Sequence, residues 1–167
     1  LAHSAVLSGR VQPGGKIAGD NDTLAEALGQ AGFATALISG NGFINDTRGF
    51  AQGFDRYRNP LRKRHPHSAR VLWQLARRFL STRKKGKTFL YVATSEPHLP
   101  NTPSEDSLAA EWGRRVAPLV PAKTAALSES VADGLAKLTR EQQDFIRALY
   151  DAEVRDADAG FASMLRD

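Results

Sequence analysis

Thr88-Phe-Leu-Tyr-Val-Ala-Thr-Ser-Glu-Pro-His-Leu-Pro100 decides how the rest of the chain is read. Thr88 to Thr94 is rich in β-branched and aromatic residues and follows Lys85, Gly86 and Lys87. A short apolar run bounded by turn and charge signals predicts a strand buried on both faces, as in a parallel sheet. Ser95 to Pro100 follow at once, and Pro97 and Pro100 are expected to hold the backbone extended on either side of His98. Ligands of open α/β sheets gather outside the carboxyl ends of the strands, which is where His98 falls. Two readings stand for it: a site histidine, or a surface-loop histidine without chemistry.

Working back towards the amino terminus, Phe33 to Ser39 is near-continuously apolar and predicts a second internal, parallel strand. Thr23-Leu-Ala-Glu26 is a capping box that opens a helix from Leu24 to about Ala31, and Gly32 ends it. At the carboxyl end of the Phe33–Ser39 strand, Gly40 and Gly42 flank Asn41. That spacing suits close approach to a ligand, or a plain turn. Gly49 to Asp55 is an aromatic-glycine loop expected to pack down on the sheet. Ser68 is placed to cap a helix through about Thr82, with Val71, Leu72, Leu75, Ala76, Phe79 and Leu80 as its apolar stripe. Leu1 to Gly9 reads as the first turns of a buried helix whose beginning lies upstream, and 10–22 as a glycine-rich loop.

Beyond Pro100, Ser104 is placed to cap a short helix reaching Trp112. Thr124 to Leu138 is weakly helical, and 101–138 is expected to be an insertion over the rim rather than core. Thr139-Arg-Glu-Gln142 is a second capping box and opens the longest helix. Its expected apolar face is Ile146, Leu149, Tyr150, Val154, Ala157, Phe161, Met164 and Leu165. Asp151, Glu153, Asp156 and Asp158 on this helix suggest a metal cluster at first sight. Arg147, Arg155 and Arg166 are interleaved with them, and i to i+4 pairs such as Arg147–Asp151 account for them without metal.

The totals bound the function. A chain of 167 residues, 41% hydrophobic and 25% charged, is sized for one domain (1–167) with a real core. No run reaches the apolar length of a membrane span. Leu1 opens the chain without a methionine or a basic leader, so we expect a piece whose natural start lies upstream, and no compartment can be read from it. The absence of cysteine excludes a disulfide or a thiolate metal site within these residues. The net charge of +5 is uneven: Arg56 to Lys87 holds twelve Lys/Arg and no Asp or Glu. Such a block attracts polyanions, or is simply a solvated helix face. It lacks the interleaved aromatics of a single-strand reader, so nucleic acid is not the expected partner.

Four segments, in order, resemble the sulfatase family of the alkaline-phosphatase-like superfamily. Ser4-Ala-Val-Leu-Ser-Gly-Arg10 is similar to the "ASLLTGR" after the family's modified-cysteine signature. Thr23 to Ala36 matches "TLAEALKEAGYRTA", and Gly53-Phe-Asp55 matches the "GFD" that follows. Phe89 to Val92 and Glu96-Pro-His-Leu-Pro100 resemble "FFLYVHTVDPHVPY", and Tyr150-Asp-Ala-Glu-Val154 with Asp158 resembles "YDAEIAYVD". The resemblance implies a three-layer α/β/α sandwich with a mainly parallel central sheet, here incomplete. It implies a hydrolase of small-molecule or carbohydrate sulfate esters that uses calcium, with metal ligands outside this segment. The implied nucleophile, a cysteine oxidised to formylglycine or a serine, falls just upstream of Leu1. His98 matches the histidine that bonds the sulfate near its leaving oxygen, and His3 matches the signature's Arg/His position. Arg10 and Asn41 are the expected substrate contacts.

Departures from the pattern keep two alternatives open. Ser39-Gly-Asn-Gly42 replaces the family's Lys-x-His, Leu1-Ala2 replaces the signature's Pro-Ser, and Asn101 replaces the usual tyrosine after Pro100. A phosphate or phosphonate monoester hydrolase of the same superfamily is one alternative. A degenerate, non-catalytic polyanion-binding member is the other.

Overall fold

The structure, a computed structural model, describes residues 11–12, 15–60, 69–83, 86–113 and 115–166. The chain divides into two compact units, Leu1–Thr94 and Ser95–Asp167. The expectations for Leu1 to Arg10 and for the Ser68 cap lie outside the described residues.

In the first unit, β1 (Val11–Gln12) and β2 (Lys16–Ile17) form a small antiparallel ribbon. Helix α1 (Leu24–Gln30) starts as its sequence dictates. Glu26 N donates to Thr23 Oγ1 at 3.2 Å, and Thr23 N donates to Glu26 Oε2 at 2.8 Å, so both halves of the capping box are made. Gly32, at φ 80°, ends the helix in the left-handed region that a side chain disfavours.

β3 (Ala34–Ser39), β4 (Arg56–Arg58) and β5 (Thr88–Ala93) form a parallel sheet in the order β4-β3-β5. In register, Ala34 lies opposite Thr88 and Ser39 opposite Ala93. Of the two apolar runs, the 33–39 run is internal and parallel as expected, and the 88–94 run is not buried on both faces. β3 is the strand buried on both faces, from Thr35 to Ser39, whereas β5 is half-buried until Ala93. The reason is position: β3 has a hydrogen-bonded strand on each side, and β5 is an edge among the described strands. Helix α2 (Ala69–Ser81) packs against β3 and β5, and α1 packs against β3. Within the expected apolar stripe of α2 only Leu72 and Ala76 are fully buried, joined by Ala69, while Leu80 is 37% exposed.

The glycine-aromatic loop does pack down on the sheet. Phe54 stacks on Phe89 of β5 at 6.0 Å between ring centroids. Asp55 closes the corner by pairing with β3: Thr35 N donates to Asp55 Oδ2 at 2.8 Å, and Asp55 N donates to Thr35 Oγ1 at 2.9 Å. Thr35 Oγ1 in turn donates to Gly53 O at 3.0 Å. The Gly-Phe-Asp triplet is therefore a structural corner.

In the second unit, α3 (Glu105–Trp112) packs along α5 (Arg140–Arg166), and α4 (Thr124–Ala132) follows a 3-10 turn at Pro121–Lys123. Ser104 caps α3, accepting from Ser107 N at 3.3 Å, and Thr139 and Gln142 form their capping box at the start of α5. Helix α4 stops at Ala132, short of the expected Leu138. Gly134 takes φ 73° and Leu135 is 81% exposed, because this weakly apolar segment offers no stripe to bury.

The buried face of α5 differs from the expected one. Phe145, Ala148, Leu149, Ala152 and Glu153 are buried, while Tyr150, Val154, Phe161 and Leu165 are 41–66% exposed. Both sets recur at helical spacing. The two alanines decide between them, since small residues let α3 approach closely and bring Trp112 edge-on to Phe145 at 5.0 Å. Trp112, Phe145, Ala148 and Leu149 make this core, with Leu108 and Leu119 packed against it.

Candidate functional site

Asn41 sits directly beyond the carboxyl end of β3, in the first unit. The buried Ser39 hydroxyl donates to Asn41 O at 3.1 Å and accepts from Asn41 N at 3.2 Å, pulling the chain into a turn. Asn41 Oδ1 accepts from Phe43 N at 2.8 Å, an Asx-turn that leaves its Nδ2 as the group able to bind a ligand. Gly40 serves packing. A Cβ there would lie 2.6 Å from Leu72 Cδ1 of α2, so the missing side chain makes room for the helix.

His98 lies in the second unit, five residues past β5. Its two prolines do not extend the backbone. The Glu96–Pro97 and Leu99–Pro100 bonds are both cis, and His98 N donates to Ser95 O at 2.8 Å, closing a tight turn with Pro97 at its third position. The His98 ring is exposed and its Nδ1 lies 2.8 Å from Leu99 O. A carbonyl only accepts, so Nδ1 carries a hydrogen and Nε2 is the atom presented outwards. Nε2 then donates a hydrogen bond when the ring is an imidazolium and accepts one when it is neutral.

Behind His98 is a network that the sequence patterns do not announce. Asn101, 1% exposed, donates from Nδ2 to Pro97 O at 3.2 Å and to Glu153 Oε2 of α5 at 2.8 Å. Glu153, 4% exposed, also accepts from Thr102 N at 2.5 Å. One turn on, Asp156 accepts from Ser104 N at 2.6 Å, Ser104 Oγ at 2.7 Å and Ser107 Oγ at 2.6 Å. The α5 carboxylates thus anchor the loop after His98 and the start of α3. The expected Arg147–Asp151 pair is replaced by Arg147–Asp144 at 3.3 Å, and Arg155 reaches Glu111 of α3. Asn101 was legible only as a departure from a pattern, and Glu153 only as one of several helix carboxylates. A contact between residues 52 apart leaves no local signature.

Burial pushes the Glu153 carboxyl above the ordinary value of 4.5, outweighing its bonds to Asn101 and Thr102, with Glu96 and Asp156 raising it further. A raised carboxyl contributes stability fully below the unfolded value and loses it as pH rises through the folded one. Urea midpoints should therefore fall on going up from about pH 4.5, and the Glu153→Gln variant should lack that fall. Glu26 works oppositely: the Thr23 backbone N–H holds its carboxyl low, so its contribution is lost on acidification below 4.5.

No group of three or more His, Asp or Glu suited to a metal occurs among the described residues. The described residues hold no ligand set for the calcium that the resemblance implies, whose ligands the resemblance puts outside this segment. His3 and Arg10 lie outside the described residues. No helix among the described residues is long and apolar enough to cross a membrane. Arg56, Arg58, Arg70, Arg77, Arg78, Arg83 and Lys87 of the basic block are all exposed.

A three-stranded parallel sheet flanked by helices is an incomplete α/β fold of the alkaline-phosphatase-like kind. The family profile described as Sulfatase matches residues 2–165, and the chain belongs to the sulfatase family. That membership makes it a sulfatase-superfamily hydrolase, in a family that generally binds a metal ion and acts on sulfate esters. No curated protein matches the chain.

Proposed function

We propose that the chain forms part of the catalytic domain of a sulfuric ester hydrolase in which His98 serves the leaving oxygen. The observation that carries this reading is the His98 ring: exposed, framed by Pro97 and Pro100, with Nδ1 tied to Leu99 O and Nε2 presented outwards. In S–O cleavage a nucleophile attacks sulfur and the bonding electron pair moves onto the ester oxygen. His98, as imidazolium, gives that oxygen its Nε2 proton and is left neutral. Asn41 Nδ2 donates a hydrogen bond to the sulfate without contributing charge. In this reading the nucleophile, a formylglycine or a serine, lies upstream of Leu1, and the calcium ligands lie outside this segment. His3 is proposed as a second catalytic residue and Arg10 as a further sulfate contact.

The test is turnover by the full-length protein of an aryl sulfate against the aryl phosphate with the same leaving group. Faster sulfate hydrolysis is expected, and a clear preference for phosphate would transfer the assignment to a monoester phosphatase.

A second reading, polyanion binding, is favoured by one observation. Helix α5 interleaves its arginines with carboxylates, as in Arg140–Asp144 at 3.6 Å and Arg147–Asp144, whereas the 56–87 block has no carboxylate to interleave. Binding to a heparin column should weaken steeply with salt, and Arg70→Gln with Arg78→Gln should bring elution to lower ionic strength. Unchanged elution would show that the face is only solvated.

A further inference from the structure

The sulfatase pattern has a tyrosine where this chain has Asn101, and that position is tied to the rest of the second unit in an unusual way. Asn101 Nδ2 donates both forwards to α5, at Glu153 Oε2, and backwards to Pro97 O. The backward bond closes a ring over residues 97–101, with His98 on its outer, exposed rim. The two closing residues are almost fully buried, Asn101 at 1% and Glu153 at 4% exposure. Asn101 has two amide hydrogens and uses both acceptors. Glu153 meets Asn101 with one oxygen and Thr102 N with the other.

Satisfying buried groups accounts for the Asn101–Glu153 and Thr102–Glu153 bonds, because unpaired polar atoms in that setting are costly. The same need gives the second amide hydrogen of buried Asn101 to Pro97 O, but the carbonyl itself has no such need. Pro97 is half-buried and precedes an exposed residue, so water could serve its carbonyl equally well. What the protein donor adds is geometry. It fixes the carbonyl immediately before His98, while Leu99 O, immediately after, holds the ring at Nδ1. The backbone just before the histidine is thereby referred to a 27-residue helix rather than to a free loop.

Building on the role given to His98 above, we infer that Asn101, backed by Glu153, is a positioning residue that holds the His98 imidazole in its Nδ1–H form with Nε2 facing the ester. It touches neither substrate nor reacting atoms.

Two variants separate positioning from mere stability. Asn101→Asp sets a carboxylate against Glu153 and takes the donor away from Pro97 O. Adding Glu153→Gln restores the bond between positions 101 and 153, since the new amide donates to the introduced carboxylate and its oxygen still accepts from Thr102 N. Pro97 O stays without its donor in both. In the full-length protein, Asn101→Asp should lower the melting temperature and reduce kcat about 100-fold with KM little changed. The double variant should recover the melting temperature but keep the low kcat. Long-range 1H–15N spectra of the imidazole should show Nδ1–H in the parent protein and mixed tautomers in both variants. Recovery of kcat together with melting temperature, or an unchanged tautomer in both variants, overturns the inference. Absence of sulfate ester turnover in the parent protein would instead overturn the proposed activity, and the imidazole spectra would still decide the clamp.

Discussion

Replacing His98 with alanine in the full-length protein is expected to lower kcat for an alkyl or sugar sulfate by about 10²–10⁴-fold, the range typical of a lost general acid. KM should move much less, because the group acts on charge that develops only as the S–O bond breaks. The size of the loss should follow the leaving group. A nitrophenolate departs without a proton and should lose little, whereas an alkyl or sugar alkoxide should lose the full amount. The fold should barely respond, since the ring is exposed and its polar contact is to the neighbouring Leu99 carbonyl. Equal rates for parent and variant across the leaving-group series would return His98 to the status of a surface-loop residue.

Gly53→Ala is expected to be the most damaging single-methyl change in the first unit. Gly53 takes φ 77°, and an added Cβ would sit 2.5 Å from Glu26 N, 2.6 Å from Glu26 Cγ and 2.7 Å from Thr23 Oγ1. None of these can move freely, because they are the atoms of the α1 capping box, and Gly53 O is held from the other side by Thr35 Oγ1. The left-handed backbone costs an alanine about 1–2 kcal/mol, and forcing a methyl into a packed site adds about 1–3 kcal/mol. A loss of about 3 kcal/mol by urea denaturation is expected. Gly32→Ala supplies the comparison: it has φ 80° but nothing within 4 Å of the new methyl, so it should show the backbone part alone. Equal losses at Gly32 and Gly53 would mean that the contact with the capping box contributes nothing.

Much of the fold was legible because local signals carried it. Thr23 with Glu26 and Thr139 with Gln142 fix two helix starts through bonds spanning three residues, and the sequence places both. The alternation of apolar strands with helices likewise predicts the parallel pairing of β3 and β5, whereas β4, Arg56–Arg58, carries no apolar run to announce it. Rank within the sheet was not legible. Two similar apolar runs gave no indication that β3 would be central and β5 an edge, since that depends on which strand is flanked on both sides.

The site divides the same way. His98 and Asn41 stand out from residue type, flanking prolines or glycines, and place after a strand, and the family match over 2–165 follows from such segments. The packing role of Gly40 was not legible, because Leu72, 32 residues away, takes the space its Cβ would occupy.

By itself, then, the sequence determined the helix starts, the α/β alternation, the sulfatase membership and the candidate histidine, all of them encoded within short spans. Only the tertiary structure decided that Pro97 folds the loop into a turn, that the alanines of α5 choose its buried face, and that Glu153 and Asp156 hold the chain after His98. Those outcomes rest on groups about 50 residues apart competing for the same carboxylates and the same space, and such competition is resolved only when the chain has folded.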